Sequence, residues 1–92
     1  MAQVAVIMKV IPGSPKANFE KITEECVAIC KKYADTDLVN VKEEPLAFGL
    51  KEILFNFLME ESIGDTEPLE TQLSEVDEVQ TVSTADVRRA FG

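Results

Sequence analysis

An α+β sandwich is what this sequence predicts: a four-stranded antiparallel sheet with two helices on one face, in the chain order β-α-β-β-α-β. Three observations carry that expectation. Two segments, 3–11 and 48–60, place large apolar residues at period two, the spacing of a strand with one buried face. Two others carry a single apolar stripe at steps of three and four, the spacing of a helix lying on a core. Turn chemistry separates them at regular distances. The order is that of the ferredoxin-like split βαβ unit, and one stripe per helix leaves the second face of the sheet open to water or to a partner.

The opening strand reads Gln-Val-Ala-Val-Ile-Met-Lys-Val-Ile over 3–11, with Val4, Val6, Met8 and Val10 on one side and Gln3 and Lys9 on the other. Pro12-Gly13-Ser14-Pro15 cannot continue it. Asn18 is the expected N-cap of a helix of about four turns, with Phe19, Ile22, Cys26, Ile29 and Tyr33 as its stripe. Asp35-Thr36-Asp37 breaks that helix. Leu38 to Glu44 is short and charged, as edge strands are, and Pro45 closes it. Residues 48–60 give the strongest strand signal, with Ile53, Phe55, Phe57 and Met59 alternating with Leu54, Asn56 and Leu58. A turn over 60–65 leads to Thr66, which can cap a second helix with Pro68 in its first turn and Leu69, Leu73 and Val76 as its stripe. Val79 to Val87 is the last strand; its facing is ambiguous because Val79 and Val82 differ in parity.

Size and charge narrow the function. The 92 residues fit one domain, spanning 1–92, and 46% hydrophobic content is enough for a real core. The net charge of −8 argues against a phosphate-backbone binder, which needs clustered Lys and Arg. The first strand also lacks the stacking aromatics with which domains of this fold hold RNA. Cys26 and Cys30 would share one helix face, but two thiols without any histidine cannot complete a zinc site, and a disulfide at that spacing would be strained. They are expected to be reduced and structural, which suits a cytoplasmic protein. The N-terminus has no basic leader pattern, and the apolar run from Ile53 to Met59 is too short to span a bilayer, so no membrane association is expected.

Enzyme chemistry runs out quickly. There is no histidine for general base work, no nucleophile elbow and no phosphate loop. Glu43, Glu44, Glu60 and Glu61 read as solvated faces, and no loop has the ligand spacing of a calcium site. No cofactor and no metal are expected. A small hydrolase of the acylphosphatase type would need an anion cradle early in the chain, where the prolines of Pro12-Gly13-Ser14-Pro15 lack N–H donors.

Two strings are more specific. Glu43-Glu44-Pro45-Leu46-Ala47-Phe48-Gly49-Leu50, and the stretch from Val79-Gln80 to Asp86-Val87-Arg88-Arg89, resemble the archaeal elongation factor 1-beta family. The resemblance covers essentially the whole chain, including Gly64-Asp65-Thr66-Glu67 ahead of the second helix. It implies a guanine-nucleotide exchange domain that releases GDP from elongation factor 1-alpha during translation elongation. Such a factor acts by binding the GTPase, not by covalent chemistry, and needs no stable small-molecule ligand and no nucleic acid. The main alternative is a small regulatory ligand-binding domain of the same fold. In the family, an aromatic between strands two and three acts as a wedge and a basic residue near the C-terminus approaches the nucleotide site. The matching positions are Phe48, with Gly49 beside it, and Arg89, with Arg88 as its rival. Eukaryotic relatives carry Lys there, and Arg is a larger planar fork that does not interchange with it at a tight site. Strands three and four should run in the same direction, so Phe48 and the arginines are expected at opposite ends of the sheet.

Overall fold

The computed structural model describes residues 3–90, apart from the side chains of Phe48 and Ala90. The chain order is β1 (Gln3–Pro12), α1 (Phe19–Ala34), β2 (Asn40–Pro45), β3 (Lys51–Glu60), α2 (Glu67–Ser74) and β4 (Val79–Ala90). Every neighbouring pair of strands is antiparallel, in the spatial order β2-β3-β1-β4. The expected sandwich is therefore present, with β1 and β3 central and the charged β2 at an edge.

The period-two pattern is what fixes the core. Val4, Val6, Met8 and Val10 of β1 and Ile53, Phe55, Phe57 and Met59 of β3 are all buried on the helix side. They sit opposite one another in the ladder, as in Val6 against Phe57 and Met8 against Phe55. A one-residue slip of either strand would turn its four core residues to water, so burial itself pins the register. From the helices come Ile22, Cys26, Cys30 and Ala34, then Leu69 and Leu73, with Val76 just beyond α2. The centre of the first helix's stripe is thus the i, i+4 row from Ile22 to Ala34. Phe19, Ile29 and Tyr33 flank it half-buried, because a helix on a sheet buries one narrow line fully and only the shoulders of its neighbours.

Capping is as expected at one helix and not at the other. Asn18 Oδ1 accepts from Lys21 N at 3.1 Å at the start of α1. Asp35, at φ 52°, ends it, with Thr36 N donating to Lys31 O. Thr66 stands at the N-cap position of α2, but its hydroxyl does not cap. It is buried and shares a 2.9 Å hydrogen bond with Thr84 of β4, while Asp65 Oδ1 accepts from Glu67 N. Contact with the sheet outcompetes the local cap.

Four strand boundaries differ from expectation, the first being that β1 runs on through Pro12, which was expected to end it and instead pairs with Val79 of the edge strand β4. β2 begins at Asn40, two residues late, after Leu38 N donates to Thr36 Oγ1 in the turn. β3 begins at Lys51, because Ala47–Gly49 form one turn of 3-10 helix. β4 continues to Ala90, because β1 offers partners as far as Gln3. The parity conflict in β4 is resolved by two bulges. Pairing jumps from Thr81 opposite Ile11 to Val79 opposite Pro12, and from Thr84 opposite Met8 to Asp86 opposite Ile7, so Gln80 and Ala85 are extra residues. Val79 and Val82 therefore both face the core side.

Candidate functional site

Phe48 lies in the 3-10 turn between β2 and β3, not in β3 itself. Two features hold that turn. Leu46 N donates to Leu50 O at 2.7 Å and Leu50 N to Ala47 O at 3.3 Å, closing a compact loop. Gly49 turns the chain at φ +76°, a conformation that costs any residue with a Cβ. Space is not the constraint, since a Cβ there would meet only Pro15 at an ordinary 3.7 Å. Pro15 belongs to the loop after β1, so the two loops lean on each other. The same end is tied further by Glu78, whose carbonyl accepts from Gly13 N and whose carboxylate accepts from Asn18 N at 2.8 Å. Lys51 sits 5.6 Å over the Phe19 ring and 3.6 Å from Glu43. Whether the Phe48 ring packs inward or projects as a wedge lies outside the described residues.

The arginines are at the other end. Arg88 pairs with Ala5 and Arg89 with Val4, which in turn faces Met59 near the end of β3. From Lys51 to Met59 is eight residue steps, about 26 Å of strand. Phe48 and Arg89 are therefore not one patch. The bulge at Ala85 decides their facing. Beyond it, Asp86 and Arg88 share the open face of the sheet, and Arg89 shares the side of Val4, at the rim of the helix layer. Arg88 Nε lies 2.7 Å from Asp86, two residues away on the same face. Arg89 Nη2 donates to both carboxylate oxygens of Glu61, at 2.9 and 3.1 Å. Both pairs are solvent-exposed and contribute little to stability.

Between the two ends, the open face carries half-buried Ile7, Ile11 and Leu54 and exposed Leu58, bordered by Lys9–Glu52 and Lys42–Glu44 pairs. A shallow groove of about 310 Å³ runs along it past Ala5, Leu38, Asn40, Asn56 and Leu58. Cys26 and Cys30 are free and buried in the core; burial pushes both thiols up to about 12, with the Glu25 charge adding at Cys26. Tyr33, whose hydroxyl donates to the Asp65 carbonyl, is also raised, first by burial and then by the Asp65 charge. Among the described residues, no three His, Cys, Asp or Glu side chains are grouped as metal ligands.

The family described as the EF-1 guanine nucleotide exchange domain matches residues 5–90. The chain belongs to this family. It is similar to elongation factor 1-beta of Methanocaldococcus jannaschii, with 42% identity over 98% of this chain and all of the relative. The elongation factor 1-beta proteins of Methanosphaera stadtmanae and Methanococcus aeolicus follow at 38% and 36%, each over at least 95% of both chains. In each of these alignments the match runs over nearly the full length of both chains. Phe48, Gly49, Arg88 and Arg89 all fall within the matched span. Sequence reasoning did not find Glu61 or Asp86 as the arginines' partners, nor Pro15 beside Gly49. Glu61 and Arg89 are 28 positions apart, and no spacing rule links them.

Proposed function

We propose that this exchange domain promotes release of GDP from elongation factor 1-alpha and does so through contacts at both of its ends. The observation that carries the proposal is the match to the exchange family over residues 5–90 together with elongation factor 1-beta relatives that align end to end. An exchange factor works only if it binds the nucleotide-free GTPase better than the nucleotide-bound one, since differential affinity alone can shift the equilibrium. Two actions supply such a difference. A cation brought near the Mg²⁺ that accompanies GDP repels it and competes for its ligands, which is the role proposed for Arg89. A wedge at the Phe48–Gly49 turn displaces another element of the same GTPase. The long molecule, 42 Å by 21 Å by 20 Å, can span both points at once. No proton or bond changes hands in this scheme, so the protein is not an enzyme in the covalent sense, and its setting is the cytoplasm, where translation elongation takes place.

The test is release of a fluorescent GDP from the cognate elongation factor 1-alpha, chased with excess GTP, with and without this protein. Strong acceleration is expected. Release at the spontaneous rate, with a folded factor in excess, would sink the proposal.

A further inference from the structure

Among the described residues, Arg89 is anchored through one nitrogen. Its Nη2 donates to both Glu61 oxygens, and among the described residues neither Nη1 nor Nε has an acceptor. A guanidinium carries five N–H donors, so three remain for a second anion. Glu61 is itself well fixed. It follows directly on β3, a central strand, and its carbonyl accepts from Gly64 N at 3.0 Å where the chain reverses at φ +89°. Arg89, by contrast, is near the end of the edge strand β4, on a long side chain that would otherwise sample many rotamers. The carboxylate reaches from the middle of the sheet and holds the arginine across the start of β1. Arg88 has no equivalent: its partner, Asp86, is on the same edge strand and the other face.

The Glu61–Arg89 pair is poorly explained as a stabilising contact, because its side chains are 67% and 45% exposed on the arginine and glutamate sides. Orientation is what it can supply. Ordering a long side chain before binding removes that cost from the encounter. We infer that Glu61 is a positioning residue for exchange: it holds Arg89 at the helix-side rim with part of its guanidinium open to a carboxylate of the nucleotide-free GTPase. This rests on the exchange function proposed above. A carboxylate of the protein, not a phosphate of the nucleotide, is the fitting acceptor, because an arginine bound to the phosphates would retain GDP and oppose exchange.

Two measurements test it on the full chain, with thermal unfolding used to confirm that every variant is folded. In the free protein, the Arg89 side-chain N–H signals should be resolved and slowly rotating in the cold, and should average in Glu61→Ala. In binding to nucleotide-free elongation factor 1-alpha, Glu61→Ala should weaken affinity about two- to tenfold. Glu61→Gln, which keeps an acceptor without the charge, should fall between. In an Arg89→Ala background, Glu61→Ala should cost nothing further. An equal loss in that background would mean that Glu61 serves the 61–63 turn instead, and would overturn the inference. So would unchanged or tighter binding by Glu61→Ala. If wild type accelerates release and Arg89→Ala impairs it while Glu61→Ala does not, this inference fails alone. If wild type neither binds nor accelerates, the exchange function and this inference fall together.

Discussion

Arg88 and Arg89 are adjacent in the chain but face opposite sides of β4, each beside its own carboxylate. Only Arg89 is held at the end rim of the molecule by a residue from another element. Replacing it with Ala should therefore lower stimulated GDP release about ten- to a hundredfold, the scale of a lost charge-assisted hydrogen bond. Arg88→Ala should cost less than about threefold, as an exposed pair on the open face does. Stopped-flow release of labelled GDP separates the two, and the reverse ranking would transfer the role to Arg88. The cysteines make a different prediction. Both thiols are held protonated up to about 12, whereas the unfolded chain loses those protons near the ordinary value of 9.0. The native state then binds more protons than the unfolded one between these limits, so stability is fully present below about pH 9 and falls as pH rises. Urea unfolding at a series of alkaline pH values should show this slope, and the double variant Cys26→Ala, Cys30→Ala should flatten it. An unchanged slope would assign the loss to other groups.

At the scale of elements, the turn between β2 and β3 and the bulges of β4 do most to arrange the site. Gly49 has room for a methyl group and no freedom for one, so Gly49→Ala should cost about 1–2 kcal/mol in stability from its left-handed backbone alone. Gly13→Ala is the matched control, because a Cβ there meets only ordinary contacts at 3.6 Å or more and needs no positive φ. Gly49→Asn should recover part of the loss, since Asn tolerates the left-handed region better than Ala. Calorimetric midpoints would decide it; equal effects at positions 13 and 49 would show that the turn adapts. The bulge at Ala85 has a subtler consequence. With regular pairing through Ala85, Arg88 would face the helix side and Arg89 the open face. One unpaired residue thus selects which arginine meets Glu61.

Over the whole molecule, the antiparallel sheet keeps the Phe48 turn and Arg89 about 26 Å apart on a rigid core. Groups so far apart, with no shared partner, act independently. Phe48→Ala and Arg89→Ala should each impair exchange with the fold intact. Their effects on kcat/KM, as free energies, should add to within about 0.5 kcal/mol in the double variant. A strongly sub-additive double variant would place both residues in one coupled event on the GTPase and would contradict two separate contacts. The expected extended contact follows from strand direction, and the ladder bears out the separation on which it depends.

Much of this was legible in residue order. Period-two runs at Val4–Val10 and Ile53–Met59 state which face of each strand is buried, and the stripes from Ile22 and Leu69 state where the helices lie. Such patterns are local, and the hydrophobic effect reads them directly. The Glu43-to-Leu50 string and the Asp-Val-Arg-Arg stretch pointed to the family without any geometry. What the residue order left open depended on distant partners. Thr66 abandons its cap because Thr84, eighteen positions on, offers a half-buried hydroxyl. Phe48 leaves β3 because Gly49 closes a 3-10 turn against Pro15. The arginines take their sides from a bulge that exists only where β4 is laid on β1. Alternation within a strand is a property of the chain, but the count of residues between two ladder bonds is a property of the pair of strands, and so the side on which Arg89 meets Glu61 was decided by tertiary structure alone.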